Sequence, residues 1–117
     1  MDEAYYRTML FDFFGELLTA KQKEYFDLHY NNDLSLSEIA ESEGISRQGV
    51  WDIIRRGEET LRRYEAKTGL MARFAREREL LDRIEERLDK LLSLTQGEAA
   101  ALAGGMREDL KELRHGI

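Results

Sequence analysis

The sequence predicts an all-α protein: a helix-turn-helix bundle followed by a long, heptad-patterned helix toward its C-terminal side. Three observations lead there. The 117 residues include no proline and 36% of them are charged, a composition suited to exposed helical faces. Ser35 to Arg56, SLSEIAESEGISRQGVWDIIRR, has the pattern of two helices joined by a sharp turn. From Leu70 to Leu91, positions 70, 74, 77, 81, 84, 88 and 91 alternate spacings of four and three, a heptad seam in which only Glu77 is polar.

Residues 3–18 read as a first helix, with Tyr6, Leu10, Phe13 and Leu17 on one stripe that Phe14 and Leu18 widen. Thr19 is placed to cap a second helix over about residues 20–30, with Tyr25, Phe26 and Leu28 as its apolar positions. Asn31-Asn32-Asp33 ends it, because Asn and Asp tolerate turn geometry and bond their own backbone. Ser35 or Ser37 opens the third helix, and Glu38 lies at the capping-box distance from Ser35. Leu36, Ile39 and Ala40 form its inner face. Ala40 leaves room for a close helix crossing, Gly44 supplies a left-handed reversal, and Ile45 is expected to plug the turn. Ser46 caps the fourth helix, which runs to about Lys67 and stops at Gly69. Its inward positions are Val50, Ile53, Ile54, Gly57 and Leu61.

The heptad seam then defines a fifth helix, broadened by Leu80 and Leu92. Thr95 to Gly105 has little apolar bulk and the adjacent pair Gly104-Gly105, which predicts a loop. A short helix over 106–114, with Met106, Leu110 and Leu113, needs a surface to dock on. The organisation expected is therefore a helix-turn-helix domain at 1–68, a long amphipathic helix at 69–94, and a flexible loop with a short helix at 95–117. The seam must be covered, since that much leucine would otherwise leave a large exposed patch. It can fold back on helices one and four or pair with a second chain, and a homodimer with helix one or five at the interface is the preferred reading.

Charge complicates a nucleic-acid function. The net charge is −6, of which residues 1–68 carry −5 and residues 69–117 carry −1. Modules that bind nucleic acid tightly on their own usually hold a basic excess. With no cysteine there are no disulfides or thiolate metal sites. No apolar run approaches the roughly 20 residues that span a bilayer, and MDEAYYRTML lacks a signal pattern, so a soluble cytoplasmic protein without a membrane partner is expected.

The stretch from Leu10 to Leu70 resembles the YlxM-like family of small bacterial helix-turn-helix proteins. The resemblance covers about residues 5–75 and is carried by Phe11-Asp12-Phe13, Leu17-Leu18-Thr19 with Lys21-Gln22, Leu36 through Ala40, and Ser46-Arg47-Gln48. It implies an all-α fold whose helix-turn-helix is like region 4 of sigma factors, a homodimer, no enzymatic activity and no cofactor. It also implies association with the signal recognition particle, or its regulation, because the family's genes lie beside those of the particle. Two positions depart from the pattern. Gly49 stands where alanine is usual, which weakens the fourth helix by roughly 1 kcal/mol, and Gly57 stands where a residue more compatible with a helix is usual.

If the helix-turn-helix binds nucleic acid, the fourth helix is the reader. Gln48 can pair with adenine and Arg47 with guanine or phosphate, while Arg55, Arg56, Arg62 and Arg63 can meet phosphates. Ser46 and Trp51 complete the candidate set. The competing reading is that the charges satisfy one another: Asp52 lies three and four residues before Arg55 and Arg56, and Arg55 four before Glu59. The aromatics Tyr5, Tyr6, Phe11, Phe13, Phe14, Tyr25, Phe26 and Tyr30 stand at helical spacing and read as core. Trp51 falls on the border of the buried face, half-buried or free to anchor a partner. Nothing suggests catalysis. His29 and His115 lack metal-ligand spacing, Glu58-Glu59 and Glu85-Glu86 diverge around their helices, and no phosphate loop or nucleophile elbow is present. Partners that fit are the particle's protein or RNA, with a dimeric DNA-binding transcriptional regulator as the alternative.

Overall fold

The computed structural model describes residues 2–115, so the first residue of the expected 1–68 domain and the last two of the 95–117 tail lie outside the described residues. Every element of regular structure among them is helical. They form two compact units, one ending at Met71 and the other beginning at Ala72.

The first unit is built from α1 (Glu3–Phe14), α2 (Ala20–Phe26), α3 (Leu36–Glu43) and α4 (Arg47–Thr68). Asp2 caps α1 by accepting the Ala4 N–H. The first helix is shorter than its apolar stripe suggested. A 3-10 turn, Gly15–Leu17, follows Phe14 and rotates the register. Leu10, Phe14 and Leu18 therefore point inward, while Leu17 is 57% exposed. Gly15 fits closely there: a Cβ would stand 3.3 Å from the Phe11 ring, which would have to shift by a few tenths of an ångström.

Thr19 and Gln22 form a reciprocal capping box at the start of α2. Past Phe26 the helix widens into a single π turn, Asp27–Asn31, and the chain reverses at Asp33 in the left-handed region, φ 57°. Ser35, not Ser37, caps α3 and pairs with Glu38 in a second capping box. Gly44 ends α3 at φ 69° and Gly69 ends α4 at φ 61°, both left-handed. Phe26, Leu10, Ile39, Ile54, Leu61 and Val50 are fully buried, and the Phe11 and Phe26 rings stack at 5.0 Å. Ile45 departs from its expected role. It stays 40% exposed, its Cδ1 lying over Gly49 in the first turn of α4 instead of plugging the reversal.

The second unit is a helical hairpin. α5 (Leu70–Leu94) enters it and α6 (Gly97–His115) returns, with Gly97 in the left-handed conformation at the turn. The loop expected at 95–105 is thus a two-residue turn followed by helix, and α6 passes through Gly104-Gly105. Two mid-helix glycines cost roughly 1 kcal/mol each against alanine. Packing offsets this: Leu81 and Leu88 of α5 bury against Ala103 and Leu110 of α6. Arg114 bonds Asp82 at 2.6 Å and Glu85 at 2.9 Å, and Arg107 pairs with Asp89 at 3.3 Å. Part of the seam is therefore covered by the chain's own α6, a partner not foreseen. No helix among the described residues is long and apolar enough to cross a membrane.

Candidate nucleic-acid or protein interface

The site begins with the cap of α4. Ser46 sits in extended backbone, φ −75° and ψ 154°, and its Oγ accepts the Gly49 N–H at 3.0 Å. Its hydroxyl is thus occupied by the helix it starts. Gly49 is crowded for the same reason, since an added Cβ would stand 3.1 Å from that oxygen. Val50, Ile54, Gly57 and Leu61 turn inward and Ile53 packs at the edge of the core. This leaves Arg47, Gln48, Arg55, Arg56, Glu59 and Arg63 exposed around the rest of the helix.

Most of the polar side chains there hold one another. Gln48 donates from Nε2 to Asp52 Oδ1 at 3.1 Å, a partner that charge spacing alone did not reveal. Asp52 was expected to meet Arg55 or Arg56. Instead Arg55 pairs with Glu59 at 2.6 Å, as its spacing suggested. Arg63 donates to Thr60 Oγ1 at 3.2 Å. Arg47 and the Arg56 guanidinium have no hydrogen-bond or ion-pair partner among the described residues.

Arg62 belongs to a different structure. Its Nε bonds Glu58 at 3.0 Å and its Nη2 bonds Glu3, while Arg7 from α1 reaches the other Glu58 oxygen at 2.7 Å. Arg7 also lies over the Tyr30 ring at 4.3 Å and Arg62 over the Tyr6 ring at 5.2 Å. Burial pushes the Glu58 carboxyl up, but hydrogen bonds from Arg7 and Arg62 and their positive charges outweigh it and hold it below its ordinary value. Arg62 therefore clamps α1 to α4, a role that only the three-dimensional proximity of Glu3 and Arg7 could disclose.

An open groove of about 500 Å³ adjoins the first turn of α4, lined by Leu36, Arg47, Gln48 and Trp51. Trp51 is 37% exposed, on the border where the helical wheel placed it. Leu36, taken from sequence as an inner-face residue of α3, is the wall that sequence reasoning missed, because the groove exists only once α3 crosses α4. Among the described residues no cluster of three or more His, Asp or Glu side chains is placed to hold a metal ion.

Residues 1–99 match the family described as "Putative helix-turn-helix protein, YlxM / p13 like". The chain belongs to this family. The match extends beyond the 5–75 segment that carried the resemblance and takes in the whole of α5. Among curated relatives, the UPF0122 protein lin1916 of Listeria innocua is 46% identical over 82 residues, 70% of this chain and 74% of that protein. The UPF0122 protein STH1464 of Symbiobacterium thermophilum is 45% identical over 95 residues, covering 80% and 89%. The UPF0122 protein of Acetivibrio thermocellus reaches 51% over 78 residues, 67% of each chain. Membership of a helix-turn-helix family agrees with the all-α fold.

Proposed function

We propose that this chain is a non-enzymatic, cytoplasmic helix-turn-helix regulatory protein that acts in the signal recognition particle pathway by binding the particle's protein or its RNA. One observation weighs most. On the outer face of α4, Gln48 is tied to Asp52 and Arg55 to Glu59, so one candidate base reader and one candidate phosphate contact are engaged with carboxylates that repel a duplex. The resemblance to a family encoded beside particle genes points the same way. A homodimer fits the hairpin, where Ile84 and Leu91 of α5 and Met106 of α6 remain more than 40% exposed and a second copy would cover them.

A dimeric DNA-binding transcriptional regulator is the second reading. It is favoured by Arg47 and Gln48, which project from the first turn of a capped second helix, the position from which such helices reach base edges. Titration against a random DNA duplex, the particle's RNA and its GTPase protein, each at two salt concentrations, separates the two. The expected result is saturable binding to a particle component and no measurable duplex affinity. A steep salt slope on duplex DNA that disappears in Arg47→Ala and Gln48→Ala variants would overturn the proposal in favour of the regulator. The mass in solution checks the dimer.

A further inference from the structure

We infer that the groove between Leu36 and Trp51 is a docking slot for a polypeptide segment presenting a bulky apolar side chain beside a carboxylate. The inference rests on the interaction role proposed above and selects protein over nucleic acid as the ligand of this site. The walls set the first requirement. Leu36 and Trp51 make the groove apolar, and its volume of about 500 Å³ takes a large side chain. Trp51 stays 37% exposed on a helix whose Val50, Ile54 and Leu61 are completely buried. A partly exposed tryptophan beside a groove has the character of an interface anchor, since burying its remaining apolar surface is favourable and its rigid ring loses little entropy.

The rim sets the second requirement. Arg47 is the unpartnered charge on the lining, whereas Gln48 is already held by Asp52. A fork-shaped guanidinium with free donors recognises a carboxylate in a bidentate manner. A phosphate chain would satisfy Arg47 as well, but it needs a row of cations. Residues 35–68, which span α3, the turn and α4, hold seven Asp or Glu against six Lys or Arg, so the helix-turn-helix carries no basic excess. The other unpartnered arginine of α4, Arg56, lies about two and a half helical turns further along and so on the opposite side of the helix from Arg47. The two cannot follow one backbone. A single carboxylate next to an apolar anchor is the ligand that this charge distribution accepts.

Trp51 is the only tryptophan in the chain, so full-length protein labelled with 5-fluorotryptophan gives one fluorine resonance that reports on the groove. Three probes are titrated separately: the particle's GTPase protein free of RNA, the particle's RNA, and a random DNA duplex. The GTPase protein is expected to shift the resonance saturably. Affinity, read for every variant by titration calorimetry because Trp51→Ala carries no fluorine label, should fall at least about tenfold in Trp51→Ala and in Arg47→Glu. It should be largely kept in Arg47→Lys and unchanged in Arg56→Glu. Thermal melts establish that each variant is folded, and Arg47→Glu, on the exposed first turn, decides the matter if Trp51→Ala is not.

GTPase protein that binds with the resonance unmoved and both variants unaffected would overturn the groove while leaving the pathway reading intact. RNA or duplex that shifts the resonance and loses affinity in both variants would make the groove a nucleic-acid site and overturn the inference. Absence of binding to either particle component would sink the groove and the pathway reading together.

Discussion

The two units of this protein solve the same problem with unequal means. Up to Met71, eleven buried apolar residues form one core, and six of them lose all contact with solvent. From Ala72 onward, four buried residues, Leu81, Leu88, Ala103 and Leu110, hold a hairpin of two helices, and the remaining cohesion comes from ion pairs such as Arg114 with Asp82 and Glu85. Aromatic side chains make the difference. Those of α1 and α2 pack into the core of the first unit, whereas the hairpin buries only leucines and an alanine. Rigidity is thus concentrated where the groove of α4 must be held in shape.

Core truncation should expose this contrast most strongly. Phe26 is fully buried and stacked on Phe11, so Phe26→Ala removes a large ring from the middle of the core. It is expected to cost about 3–5 kcal/mol and to lower the denaturation midpoint of the first unit. Leu88→Ala, 5% exposed in a thin seam, should cost about 2 kcal/mol and loosen the hairpin. Urea titrations followed by far-UV circular dichroism compare them, and equal losses would mean that the hairpin is as tightly packed as the bundle.

The next effect concerns the polar clamp. Glu58 joins Arg7 and Arg62 with its side chain only 22% exposed, and Glu58→Gln should cost about 2 kcal/mol at neutral pH by weakening two charge-assisted hydrogen bonds. Because the folded-state carboxyl titrates below its ordinary value near 4.5, this contribution is complete above that value and is lost as pH falls through the lowered folded-state value. The gap between wild type and Glu58→Gln should therefore be widest at neutral pH and close in acid. A gap that persists at the lowest pH would show that the clamp works through shape and not charge.

Sequence reading succeeded where the signal was local. Gly44, Ser46 and Gly69 announced their roles, and Ser35 was one of two caps offered, because caps and left-handed stops depend on neighbours within one helical turn. The border position of Trp51, 37% exposed, followed from the wheel of a single helix. The misses share the opposite property. Leu17 was misplaced because a 3-10 turn shifted the register that periodicity assumed. The pairing of Arg62 with Glu3 was not foreseen because Glu3 is 59 residues away in sequence. Gly104-Gly105 suggested a loop because propensity is a sum over one segment, while the packing of Ala103 and Leu110 on α5 is not.

That last miss makes its own prediction. Nothing lies within 4 Å of a Cβ built at Gly104 or Gly105, and neither glycine has a left-handed backbone. The double variant Gly104→Ala, Gly105→Ala should therefore stabilise the hairpin by about 1–2 kcal/mol through backbone entropy alone. Thermal melts would register it as a raised transition, and no gain would mean that this stretch of α6 is not helical in solution.

The smallest effect is expected at Gly49, where helix propensity and crowding oppose each other. Alanine recovers roughly 1 kcal/mol of propensity. Its Cβ, however, would stand 3.1 Å from Ser46 Oγ, which must shift by a few tenths of an ångström while still accepting the Gly49 N–H. Weakening that cap costs up to about 1 kcal/mol, so Gly49→Ala should change stability by less than about 0.5 kcal/mol. Gly57→Ala provides the contrast on the same helix. Its Cβ would meet Gln22 Cβ at 3.4 Å, with no capping hydroxyl in the way, so most of the propensity gain should survive. If Gly49→Ala instead proves as stabilising as Gly57→Ala, the Ser46 hydroxyl yields freely, and the first turn of α4, which carries Arg47 and Gln48, is held less firmly than its hydrogen bonds indicate.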